Sequence, residues 1–192
     1  FVTGAAIKYL RDVLKIIEST EETEEMAYKI SSNDGVYFVP AFVGLGAPYW
    51  DEYARGLLIG ITSATKREHV VRAALESIAY LTRDVLDEME KIWDVREIKA
   101  DGGAARNDFL MQFQADITNK RVVVPEVTEA SSLGAALLAG VAAGVYRNLD
   151  EAVRATYREK TSYTPNPRMH EVYNKYYQLY KELYACLKGY FR

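Results

Sequence analysis

The 192-residue sequence holds one cysteine, Cys186, two histidines, His69 and His170, and three glutamines. A lone cysteine forms no internal disulfide, and so few thiols and imidazoles leave little material for a metal site. That scarcity points to a reducing, intracellular compartment, with the cytoplasm as the expected location. The chain opens Phe1-Val2-Thr3-Gly4, without Met, a basic leader or an apolar signal core. Such an opening reads as the middle of a folded element, so the expectation is a carboxy-terminal piece of a longer protein. Neither charge sign dominates: 24 Lys and Arg against 27 Asp and Glu leave a net charge of −3. Residues 147–192 hold nine basic and five acidic side chains, a net +4, which leaves −7 for residues 1–146. No basic stripe of the kind that binds phosphate backbones results, so nucleic acid is not an expected partner. Ser131 to Tyr146 carries no charge, but it falls short of the ~20 residues a membrane span needs. The expectation there is a buried helix, with Gly134, Gly140 and Gly144 letting neighbouring backbones approach. Scarce glutamine beside plentiful Glu, Lys, Arg and Tyr leans towards a heat-adapted source.

What is present is ordinary for a globular chain: 49% hydrophobic and 27% charged residues. The length fits one domain, perhaps with an appendage, and such a chain buries about 70% of its unfolded surface without disulfides or metal. From Ala5 to Ile17, the residues Ile7, Leu10, Leu14 and Ile17 fall at helical spacing and form a core-facing stripe. Ser19-Thr20 with Glu21 and Glu22 reads as a second helix start, ending near Ser31 before the Asn33-Asp34-Gly35 turn. Its glutamates form a solvated first turn. Strands are expected over Val36–Phe42, Gly56–Ile61, Glu97–Ala100 and Arg121–Val124. Thr65 or Ser63 would cap a long helix from about Lys66 to Lys91, with Val70, Ile78, Leu81, Val85 and Met89 in its stripe. Further helices are expected from about Asn107 to Thr118 and after Asp150. The last helix, after Thr164-Pro165-Asn166-Pro167, carries Tyr173, Tyr176, Tyr177, Tyr180, Tyr184 and Leu187 at three- and four-residue steps. That aromatic stripe reads as core or subunit packing. Alternating strands and helices give an α/β layered domain.

No nucleophile–base pair stands out, and neither histidine sits where catalysis would need it. Cys186 reads as a small hydrophobe on an aromatic helix. Gly44 and Gly46 begin like a dinucleotide fingerprint, but Tyr49 stands where a third glycine belongs and Pro48 blocks a helix. The strongest local signal is strand–Gly102-Gly103–helix, where bare backbone would let a ligand approach. Asn107 follows at the helix start, able to bond a ligand or to cap the helix.

The wider pattern adds a resemblance. Gly56-x-Leu58-x-Gly60-Ile61 with His69-Val70-x-x-Ala73-Ala74-Leu75-Glu76 resembles the second signature of the FGGY carbohydrate kinases. Phe42 to Asp51, Asp101-Gly102-Gly103 with Asn107 to Gln112, and Glu129 to Ala136 are similar to the glycerol-phosphorylating members in particular. The likeness runs from about Phe1 to Asn148. It implies an α/β, ribonuclease-H-like (actin-like ATPase) domain over residues 1–148, incomplete at its amino end. A helical tail, 149–192, would pack on it or at a subunit interface. The implied reaction moves the terminal phosphoryl of ATP, with Mg, onto glycerol, in an enzyme expected to form homo-oligomers. The resemblance places Gly4 near the phosphates and Gly103, Ala104 and Asn107 around the adenosine, with Gly102 shaping the turn. Lys8 matches a nucleotide-site position that is commonly glutamine in this branch. A lysine offers a cation and no acceptor, so it either reaches a phosphate or faces solvent. The catalytic base, the polyol-gripping residues and the metal carboxylates would lie upstream of Phe1, so no catalytic or metal-binding residue is expected within these residues. Two other readings stand beside this one: a kinase of the same family for another polyol or sugar, and a non-catalytic assembly module pairing through its tyrosine-rich tail.

Overall fold

The structure, a computed structural model, describes residues 3–188 and 190, apart from the side chains of Thr3 and Leu187. Phe1 and Val2 lie outside the described residues, as does the side chain of Leu187 expected in the tail stripe. The chain runs α1 (Thr3–Lys8), α2 (Glu22–Tyr28), β1 (Tyr37–Val39), β2 (Leu57–Ile59), α3 (Arg67–Met89), β3 (Glu97–Lys99), α4 (Asp108–Thr118), β4 (Arg121–Pro125), α5 (Ala130–Ala142), α6 (Leu149–Thr156), β5 (Glu159–Tyr163) and α7 (Pro167–Leu187). β1 and β2 pair antiparallel as a ribbon, while β4 is the central strand of a second sheet ordered β3-β4-β5. β3 runs parallel to β4 and β5 antiparallel to it. The β5 strand is absent from the sequence expectation.

α1 does not continue as one regular helix to Ile17. It passes into a π-helical stretch, Tyr9–Val13, with Leu14 N–H donating to Tyr9 O at 3.0 Å. The wider turn rotates the following face, so Ile7, Leu10 and Ile17 are buried but Leu14 is exposed. At the start of α3 neither Thr65 nor Ser63 caps. The Lys66 N–H donates to His69 Nδ1 at 2.9 Å, and Thr65 instead accepts from the Thr62 N–H.

From Val71 to Tyr80 every residue of α3 is buried, so the expected one-sided stripe becomes an all-round core. Within it, Arg72 and Glu76 pair at 2.9 Å, with side chains 4% and 0% exposed. Glu76 also accepts from Asn33 Nδ2 and the Tyr80 hydroxyl, and Arg72 donates to Ile30 O. A buried ion pair survives only with its remaining donors and acceptors satisfied, which these partners provide. Burial pushes the Glu76 carboxyl up from its usual range, against the pull of Arg72.

α7 packs along α4, capped by the Asn166 side chain, which accepts from Arg168 and Met169 N–H groups. Tyr173, Tyr177 and Tyr180 enter the core. The stripe is therefore spent inside the molecule, and Cys186 beside it is exposed rather than packed. α5 departs furthest from expectation. Packed chiefly on α6, it buries Leu137 alone of its residues. Gly134 and Gly144 have open space where a side chain would begin, and Gly140 meets the Tyr146 ring rather than a neighbouring backbone. Among the described residues no helix is long and apolar enough to cross a membrane.

Candidate functional site

β3 ends at Lys99, and Ala100 still bonds β4 through Val123 O at 2.9 Å. The chain then turns at Gly102, whose φ of 77° suits glycine alone. Its N–H is held by Thr128 O at 2.8 Å, which ties the turn to the loop after β4. A 3-10 turn over Gly103–Arg106 follows and delivers the chain to α4. A Cβ added at Gly102 or Gly103 would meet nothing within 4 Å, and Gly103 is exposed. The turn is therefore an open ledge with no side chain on it until Ala104, which is half-buried.

Asn107 caps α4: its Oδ1 accepts from the Leu110 N–H at 2.8 Å. Its Nδ2 donates to Thr23 Oγ1 of α2 at 3.1 Å, and the Asp108 N–H donates to Glu24 Oε2 at 2.6 Å. α2 is thus clamped beside the ledge as a side wall, a contact across 84 residues that no local pattern announces. On the far side the Tyr163 hydroxyl of β5 donates to Asp108 at 2.6 Å. Burial, then the neighbouring Asp108 carboxylate, pushes that phenol up. The cap leaves Asn107 one amide hydrogen uncommitted.

Gly103, Ala104 and Asn107 thus come together on one turn. Gly4 and Lys8 are both exposed on α1, which packs on α3. Among the described residues no hydrogen bond joins either to the ledge, and Lys8 makes no ion pair. Nor does any group of three His, Cys, Asp or Glu side chains among the described residues gather to hold a metal ion.

A second concavity, about 1090 Å³, opens between the loop from Val43 to Tyr53, the end of α3 and β3. Val85 and Met89 of α3 line one wall, Ile98 of β3 another, and Trp50, 80% exposed, the third. Among the described residues β3 has a strand partner on its β4 side alone. The loop itself closes on Leu45 and Asp51, whose backbones exchange hydrogen bonds at 2.8 and 3.0 Å. A side chain at Gly44 would sit 2.6 Å from Asp51 O.

The profile of the FGGY family of carbohydrate kinases, C-terminal domain, matches residues 1–143. A glycerol kinase of Thermococcus gammatolerans is 65% identical over 151 residues, which are 79% of this chain and 31% of that protein. One from Clostridium perfringens (strain SM101) is 51% identical over 184 residues, 95% of this chain and 36% of that protein. Among solved structures, Plasmodium falciparum glycerol kinase with ADP superposes with a TM-score of 0.81 at 31% identity, over 94% of this chain and 36% of that one. A xylulose kinase from Lactobacillus acidophilus reaches 0.87 at 27% identity, over 98% of this chain and 39% of that one. The chain thus spans about a third of the length of the curated relatives it matches.

Proposed function

Since the chain belongs to the FGGY family of carbohydrate kinases, we propose that it forms the nucleotide-side domain of an enzyme that phosphorylates glycerol with ATP, giving sn-glycerol 3-phosphate and ADP. The single observation that carries this reading is the open ledge after β3, where neither Gly102 nor Gly103 has an atom in the way of a ligand. A flat, side-chain-free surface suits a nucleoside. In this reading Gly103 and Ala104 lie against the adenosine, and the uncommitted amide hydrogen of Asn107 reaches the base or ribose. Gly4, with open space about it, leaves room for phosphate, and Lys8 one turn on offers its ammonium to the same charge. High identity to glycerol kinases supports glycerol as the acceptor, whereas the xylulose kinase likeness rests on shape at lower identity.

Bound ATP with magnesium supplies the phosphoryl group and neutralises its charge, and the protein's share is positioning. The residues present fit a nucleoside ledge and not a metal cage. In this reading the magnesium ligands, the base and the glycerol pocket belong to an upstream part of the polypeptide. We assign residues 1–148 to an actin-like, ribonuclease-H-like domain lacking its first segment, with 149–192 as a helical tail packing on it or at a subunit interface and the cytoplasm as its location. The upstream part would cover the unpaired edge of β3, the apolar concavity beside it and the uncharged face of α5, three surfaces that are exposed here.

Gly103→Val in the whole enzyme tests the reading. The KM for ATP is expected to rise about tenfold or more while that for glycerol stays within about twofold. An equal loss for both substrates overturns the nucleotide assignment. Phosphorylation of glycerol by these 192 residues alone would overturn the division of labour.

A further inference from the structure

We propose that the carboxy-terminal half of α7 is a strap that holds the loop from Gly44 to Asp51 in the shape that walls the apolar concavity, with Tyr184 as its positioning residue. The inference rests on the reading that this concavity receives the upstream part, and it adds how its wall is set. Asp51 is the pivot. Its carboxylate is buried at 4% exposure although it sits at the mouth of an exposed loop. Oδ1 accepts from the Tyr53 N–H at 3.0 Å, and Oδ2 accepts from the Tyr184 hydroxyl at 2.9 Å, across 133 residues of sequence. The Tyr184 ring also lies 4.4 Å from the Tyr49 ring, centroid to centroid, so loop and helix touch by a face and by a hydroxyl. Two turns earlier, the Tyr177 hydroxyl donates to Asp84 at 2.6 Å and lies 3.1 Å from Asp87 Oδ2, which fixes the same helix to α3, the opposite wall.

The Tyr177 and Tyr180 rings in this seam are buried, yet its polar atoms are incompletely satisfied. Arg83 Nη1 and Tyr180 Oη, both in this seam, are buried without a hydrogen-bond partner among the described residues, while the Tyr49 hydroxyl of the loop interacts with the Asp84 carboxylate. Each unmade bond costs the closed seam the desolvation of that group, which lowers the free energy of opening it locally. Because Trp50 and Val43 line the concavity, loosening the loop at Asp51 moves that wall. Linkage then runs both ways: an occupant that orders the loop tightens α7, and a docked α7 prepares the loop.

The test is amide hydrogen exchange on the 192-residue chain. Tyr184→Phe keeps the ring on Tyr49 and deletes the hydroxyl. The Leu45 and Asp51 amides, which bridge the loop, are expected to exchange about tenfold faster, with Phe113 and Val123 in the core within about twofold of wild type. Asp51→Asn keeps an acceptor for the Tyr53 N–H and can donate its amide to the Tyr184 hydroxyl, and is expected to stay within about threefold at the loop. Unchanged loop amides in Tyr184→Phe, or equal acceleration of loop and core, overturns the strap. If the upstream polypeptide leaves exchange at Val85 and Met89 unaltered, the docking reading fails while the strap stands.

Discussion

The two ends of α3 have opposite surroundings. The stretch from Val71 to Tyr80 holds an arginine and a glutamate and is buried throughout; Val85 and Met89, both apolar, stand 38% and 48% exposed. Burial along this helix follows the availability of partners more than the hydrophobicity of the residue. Where Asn33, Ile30 O and Tyr80 converge, a charged pair is enclosed; where no element crosses, methyl and thioether groups face the concavity. The first end is a finished interior. The second is apolar surface of the kind that marks a contact face.

That contrast is open to attack, most strongly at Glu76. Glu76→Ala leaves the Arg72 guanidinium buried without its counter-charge, and about 3–5 kcal/mol of stability should be lost, read as a drop in the urea midpoint. A loss under about 1 kcal/mol would mean the pair is not enclosed as described. A broader effect follows from the tyrosines around the same interior. Burial is the main cause that raises Tyr37 and Tyr173 from 10.0 to about 12. The unfolded chain then releases these protons first as pH climbs. Their contribution is complete below pH 10 and disappears as pH rises through about 12. The exposed tyrosines ionise first, and a later phenolate step from the buried ones should coincide with the loss of circular dichroism; full ionisation of the tyrosines with the fold intact would refute the burial. Asn107→Ala removes the α4 cap and should cost about 1 kcal/mol, while a variant that keeps a short acceptor, Asn107→Asp, retains most of it. Smallest of all, Val85→Ser and Met89→Ser should change the stability of this chain by no more than about 0.5 kcal/mol. A large loss at Met89 would erase the difference between the two ends.

The sequence made some of this visible because the chemistry is local. The Gly102-Gly103 turn and the Asn107 cap depend on residue types within six positions, and both stand where the pattern puts them. The side wall of the ledge was not legible, because Thr23 and Glu24 meet Asn107 and Asp108 only after α2 folds back on α4. β5 was missed for a similar reason: Glu159, Lys160 and Ser162 carry no strand pattern, and its pairing comes from β4 alone, helped by Arg121 bonding both Glu159 and Ser162. The uncharged run of α5 promised burial, but composition records what a helix prefers and not what has been built against it.

Arg72 has one more consequence. Its guanidinium bonds Ile30 O, pairs with Glu76, covers the Phe109 ring at 5.1 Å and reaches the Tyr173 hydroxyl, at 3.5 Å, from the far end of the chain. A ribosome makes these partners in order, so the cation emerges roughly a hundred residues before the last of them. Tyr173 lies on α7, so the guanidinium is fully enclosed only once α7 has docked. Enclosure of this one cation therefore depends on contacts drawn from four separate segments, of which α7 is the most distant in sequence.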